Sequence, residues 1–368
     1  MIAFRDRATG AQVWQVTEGP AINHPTYFLQ NSFFPGGREI FFTSHRTGSA
    51  QLFEASLDCS ADSLSASPAP RQITSGAAIH PFSAALHPNG TTLIFTRGGG
   101  LWAIDRHTLA ERAIVHYPDA QLGECSISHD GEWLTAAFKS GAESGLVAGR
   151  FDGTLWHTIP FPRTVIHPQF HPLEPEWIEF AGDPAPRMHR VRRDGSGLEC
   201  LYEHANDEFL VHETFLGDTG DLVFTVWPYA LCRMGWTTRA ITTIARYNAW
   251  HISPDRRGRR ILCDTNHPDE GLQIIDAGTG ARRQLCLSES SNQGTQWRLS
   301  RYALAEDFAR ARNEAPKELS WMENSGDTVY GPQWSHPHPS WSTDETKVTF
   351  ASDRSGSTQV YVVAVPEC

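Results

Sequence analysis

Apolar runs of about five residues recur along the chain, each fenced by Gly, Asp, Pro or Asn, a rhythm that predicts many short strands. In "TKVTFAS", Val348 and Phe350 point one way, while Lys347, Thr349 and Ala351 point the other. "GREIFFTS" and "TTLIFTR" are more continuously apolar, as strands covered on both faces are. A larger unit also repeats: an apolar or aromatic residue, Pro or His, a Gly/Asp turn, an apolar strand, a polar turn and a second strand. It begins at Ser32, Ser83, Cys125, His167, His212, Ala249 and His338. Equivalent positions (Phe34, Leu86, Ile127, Phe170, Phe215, Ile252 and Trp341) are mostly about 40–50 residues apart, the length of a four-stranded propeller blade. The expectation is an all-β chain forming one domain over residues 1–368, a seven-bladed β-propeller.

The two ends complete the pattern. The sixth unit runs through "IIDAGTGARRQL" into an outer strand, but the seventh stops at "VYVVAVPEC" without one. The opening "RDRATGAQVWQVT" carries a matching turn and strand. The N-terminal strand is therefore expected to join the last blade, closing the ring and removing two sheet edges. One insertion, at about 288–330, interrupts units six and seven; within it Leu304, Phe308 and Ala311 share a face and predict a short amphipathic helix.

Composition narrows the partners. With 42 acidic against 31 basic residues the net charge is −11, which argues against nucleic acid or an anionic membrane surface. No run approaches the roughly 18–20 apolar residues of a membrane helix. The seven cysteines are scattered and odd in number, so they read as reduced thiols and not as a disulfide framework. Arg5, Asp6 and Arg7 stand where a secretory leader needs apolar residues. A cytoplasmic location is the expectation.

Phosphate-binding and nucleophile-elbow motifs are absent: Gly98-Gly99-Gly100 reads as a hairpin turn, and Glu174 and Glu176 lie in a Pro-bounded turn. Seventeen histidines are a richer source. His24, His167, His212, His251, His336 and His338 fall in or near loops entering the inner strands, where residues distant in sequence converge on the channel. His87 and His129 read instead as turn caps. "GPQWSHPHPSW" is the densest cluster: Pro337 and Pro339 stiffen an extended segment that puts His336 and His338 on one side, with Gln333 nearby. Two imidazoles and an amide oxygen suit a borderline divalent metal such as Mn, Fe, Ni or Zn. His251, opening the inner strand of the adjacent blade, is the best-placed fourth ligand.

These motifs resemble the oligogalacturonate lyases, cytoplasmic seven-bladed propellers that degrade short pectic oligosaccharides by β-elimination with a manganese-type metal. Gln333 to Ser340, with Ser352-Asp353, is similar to their "Q-x-x-H-P-H-P-S … S-D". Trp250 to Asp255 approximates "W-H-x-S-x-D-G-R", His212-Glu213-Thr214-Phe215 approximates "H-E-F", and Asp6 to Val13 fits "D-x-x-T-G-A-Q-V". The resemblance implies a metal shell of His251, Gln333, His336 and His338, most simply around Mn2+. It implies His212 as the base and Arg187 as its partner, with His167 a rival base one blade earlier. The chain departs from the pattern at Phe180-Ala181-Gly182-Asp183, where the family often has "F-C-H-E-G".

The chemistry asks for such residues. A uronate C5 proton is weakly acidic, and a metal on the adjacent carboxylate stabilises the charge that develops when it leaves. A neutral histidine accepts that proton near neutral pH, and an arginine holds a carboxylate or the developing charge. Cleavage of the bond to O4 then gives a 4,5-unsaturated sugar from a uronate-containing oligosaccharide. Two other readings stand beside this one: a non-catalytic propeller of the periplasmic translocation-protein type, and a metal-binding propeller with hydrolase or epimerase chemistry.

Overall fold

The computed structural model describes residues 1–57, 69–183, 185–204, 208–266, 268–292 and 333–366; the amphipathic helix expected around Leu304–Ala311 lies outside them. Seven antiparallel sheets are present, each built from strands consecutive in sequence except the last. Blade 1 runs from the inner strand Asn23–His24 through Glu39–Ser44 and Gln51–Ser56 to Arg71–Gln72. Blades 2 to 6 begin with the inner strands Ala85–Leu86, Gln121–Ile127, Thr164–Phe170, Leu210–Phe215 and Ile252–Pro254. Blade 7 contains Ser340–Trp341, Lys347–Ser352 and Gln359–Ala364 from the C-terminal end. The propeller expected from the repeat spacing is the fold observed.

Local chemistry explains the regularity of the turns. Asp6, Asp105 and Asp276 each accept bonds from the backbone and hydroxyl of the Thr three residues on: Thr9, Thr108 and Thr279. The next residue takes a positive φ, which Gly10 (73°) and Gly280 (71°) adopt freely and Leu109 (57°) adopts at a cost. A second device starts the blades: Ser128 and Ser342 donate to Asp130 and Asp344 and accept the N–H of Trp133 and Lys347.

Ring closure takes the expected route, with one addition. Gln12–Gln15 pairs with the last C-terminal strand, Val13 opposite Val363 and Trp14 opposite Val362. Ile2–Arg5 then folds back on it through the Asp6 turn, so blade 7 has five strands. Alternation sends the two central side chains to different cores. Val13 packs with Leu262, Leu272, Phe350 and Tyr361 between blades 6 and 7. Trp14 packs with Phe33, Phe42, Phe53, Val360 and Val362 between blades 7 and 1. The Asp6 turn is anchored on the end of blade 6, where the Leu287 N–H donates to Asp6 and Thr9 donates to the Leu285 carbonyl.

Because these cores bridge the seam, deleting Met1–Glu18 is expected to yield insoluble or aggregating protein. The milder Trp14→Ala, at 8% exposure, should cost about 3–5 kcal/mol, read as a lowered Tm. A truncated chain melting like the full one would make the segment a dispensable tail.

Candidate metal centre and active site

The inner strands present their side chains to one another. His251, His336 and His338 offer ligand nitrogens that all lie within 4.8 Å of one another, and all three residues are buried. His251 immediately precedes the inner strand of blade 6, and the other two precede that of blade 7, as their motifs suggest. Gln333 sits in a short 3-10 turn, Gln333–Ser335; its backbone carbonyl is 3.0 Å from His338 Nε2, and its amide oxygen is buried. This turn holds Gln333 beside the imidazoles.

Asp264, which the motifs did not single out, organises the cluster. Its carboxylate accepts the His251 N–H at 2.9 Å and lies 2.7 Å from His251 Nδ1, and the His338 N–H also donates to it. With Nδ1–H directed at a carboxylate, His251 Nε2 keeps its lone pair; that atom is buried with no hydrogen-bond partner, as is His338 Nδ1. Buried acceptors without donors are costly, and a cation is the natural occupant. The donor set, neutral imidazoles backed by a carboxylate, fits a borderline divalent ion. Burial also pushes the Asp264 carboxyl up to about 7, partly opposed by the His251 N–H and the His336 charge. Burial and the neighbouring histidines push His251 and His338 well below the usual imidazole range, which keeps both neutral.

His212 and His167 come from the two preceding blades, 5 and 4. Both were expected in loops ahead of their strands; both instead sit inside the strands, each at a bulge. Register shifts between Val211 and Thr214 and between Ile166 and Gln169. The bulged residues adopt left-handed φ of 56° and 57°, an arrangement that costs about 1–3 kcal/mol for a side chain other than Gly. The His212 ring is 4.6 Å from that of His251 and 4.5 Å from Trp250. Its Nδ1 is buried without a partner. Burial first, then His251, His167 and Arg187, hold His212 well below its ordinary pKa, so it is a neutral acceptor.

Arg187 lies in the turn before the strand Met188–Arg192 and is buried, unlike the arginines around it. Arg190 and Arg192 lie over Trp177 and Arg193 over Trp133, the solvated-face roles that Arg187 does not share. Its guanidinium is 3.4 Å from Glu213, which is fully buried and also lies 3.8 Å from His167 Nδ1. Burial alone would raise Glu213; the Arg187 charge and His167 outweigh it and keep this carboxylate ionised. Glu179 nearby is pushed up, by burial and then by the Glu213 charge. At the departure from the family pattern, Gly182 has no room for a side chain: a Cβ there would meet the Phe161 ring at 2.7 Å.

Two aromatic residues that the sequence did not flag cross this space. Tyr27 and Phe28 follow the inner strand of blade 1. The Phe28 ring stands 5.1 Å from that of His212, 5.3 Å from His251 and 5.7 Å from His167. The capping histidine His87 behaves as expected, its Nδ1 accepting from the Asn89 N–H at 3.0 Å.

No family model matches the chain. It is 22% identical to an oligogalacturonide lyase of Pectobacterium atrosepticum over 99% of this chain and 96% of that protein. It is 21% identical to an oligogalacturonate lyase of Dickeya dadantii, again over 99% and 96%. Among solved structures, an oligogalacturonate lyase in complex with manganese matches with a TM-score of 0.80 at 19% identity, covering all of this chain and 96% of the other.

A site of this kind should bind one divalent ion per chain. His336→Ala/His338→Ala is expected to abolish Mn2+ binding by calorimetry and elemental analysis. Asp264→Asn, which removes the carboxylate behind His251, should weaken it about 10–100-fold. Stoichiometric metal in the double variant would exclude these histidines as ligands.

Proposed function

We propose, from the premise that this chain belongs with the oligogalacturonate lyases in sequence and fold, that it is a divalent-metal-dependent lyase of short uronate oligosaccharides. The observation that carries the reading is the convergence of His251, His336 and His338 opposite His212 and Arg187. Mn2+ is the metal we favour, because a full-length structural neighbour is a manganese complex. The metal-holding residues would be the three histidines with Gln333. A divalent ion there would neutralise a substrate carboxylate and act as a Lewis acid toward charge developing beside it.

The chain's own groups supply the remainder. His212 takes the C5 proton, being neutral, buried and equipped with an unengaged Nδ1. His167 occupies the equivalent bulge, but its Nε2 is already 2.9 Å from the Tyr27 hydroxyl, which favours His212 as the base. Arg187, held by Glu213, offers a second cation to a uronate carboxylate. Loss of the C5 proton with departure of the C4 oxygen yields a 4,5-unsaturated uronate and consumes no water. The five described cysteines are free thiols, in keeping with action in a reducing cytoplasm.

Ultraviolet absorbance of the unsaturated product, followed over a panel of uronate oligomers with and without Mn2+, tests the reading. His212→Ala should lower turnover by about 10²–10⁴-fold at unchanged metal content, and Arg187→Lys should also slow it, since a point charge does not replace a planar fork. Near-normal turnover in His212→Ala, with loss in His167→Ala, would move the base one blade back. Absence of product from every uronate would end the lyase reading.

A further inference from the structure

β-Elimination needs a second proton transfer: the oxygen leaving C4 departs as an alkoxide unless an acid meets it. The structure assigns this role to Tyr27, an inference that rests on the lyase reading. The Thr26–Gln30 loop holds the residue firmly. Thr26 donates through its N–H to Ser32 and through its hydroxyl to the Gln30 carbonyl, and the Gln30 N–H donates to the Tyr27 carbonyl. The buried ring leaves blade 1 and crosses the channel, 5.0 Å from the His338 ring, and its hydroxyl ends 2.9 Å from His167 Nε2 in blade 4.

The His167 N–H donates to the Glu124 carboxylate at 2.6 Å, and its Nδ1 faces Glu213 at 3.8 Å, beyond hydrogen-bond distance. A carboxylate beside Nδ1 favours the tautomer with its proton there, so Nε2 accepts from the phenol. A departing alkoxide is a strong enough base to take the proton of a phenol held beside it. The His167 ring lies 6.0 Å from that of His212, so donor and base border one space.

The step balances without another reactant. The C5–H bond breaks toward His212, and its electron pair forms the C4–C5 double bond. The C4–O bond breaks with its pair on oxygen, and that oxygen takes the Tyr27 proton. The phenolate takes a proton back from water, and His212 returns one to water. No net proton is gained or lost.

Two substrates separate proton donation from a structural role: digalacturonate, which loses an alkoxide, and a galacturonide with fluorine replacing the C4 oxygen, whose fluoride leaves unprotonated. Manganese-loaded wild type should convert both. Tyr27→Phe is expected to lower digalacturonate turnover by about 10²–10⁴-fold while elimination of fluoride stays near wild type and metal content is unchanged. His167→Gln, which reads the same ratio if Tyr27→Phe fails to fold, should show a smaller loss with the same selectivity. Equal losses on both substrates, or unaltered digalacturonate turnover, would overturn the assignment while leaving the lyase reading intact. Conversion of neither substrate by wild type would remove the lyase reading, and the donor with it.

Discussion

The pairing of Gln12–Gln15 with Gln359–Ala364 is the constraint on which the site depends. Each blade is a small twisted sheet that cannot bury its faces alone, and the inner strands converge only while the ring is shut. The candidate centre straddles blades 6 and 7, next to the seam. His251 comes from one blade, and His336 and His338 from the next. Val13 packs against residues of both. Opening the seam would separate the imidazoles, so stability at the termini and geometry at the centre are one property.

Burial sets the electrostatics of that centre. Loss of water and the neighbouring histidines keep His251 and His338 neutral, which makes them acceptors waiting for a cation. Carboxylates stand one layer behind: Asp264 behind His251, Glu213 behind Arg187 and His167, Glu124 behind His167. A carboxylate placed among the innermost donors would cancel part of a metal's charge. Placed behind them, it fixes tautomers and leaves that charge undiminished toward whatever the centre binds.

Much of the fold was legible because its signals are local and repeated. Strand alternation and the unit spacing each recur several times, so errors at single positions average out. The His336-Pro-His338 cluster was legible for the same reason, since its parts lie within a few residues. Asp264 was not. It ends an apolar strand as one acidic residue among 42, and only the pairing of that strand with His251 gives it meaning. Tyr27 was hidden more deeply, because its partner lies 140 residues away and on the far side of the ring. The bulges at His167 and His212 also left no clear mark: non-glycine residues with positive φ do not advertise themselves in sequence.

The departure from the related pattern at Phe180–Asp183 has a physical reading. At Gly182, where that pattern often has histidine, Phe161 fills the volume a side chain would need, and the ring packs in turn on Phe180 and His189. The Gly182 N–H donates to the Arg187 carbonyl, so the exchange touches the backbone that carries the arginine. Arg187 nonetheless stays buried beside Glu213, because that carboxylate comes from blade 5 and is independent of the strand bearing Gly182. The lost imidazole therefore alters the wall of the site near Arg187 without unseating Arg187 itself. The histidine cluster around Asp264, which comes from blades 6 and 7, is untouched by the exchange.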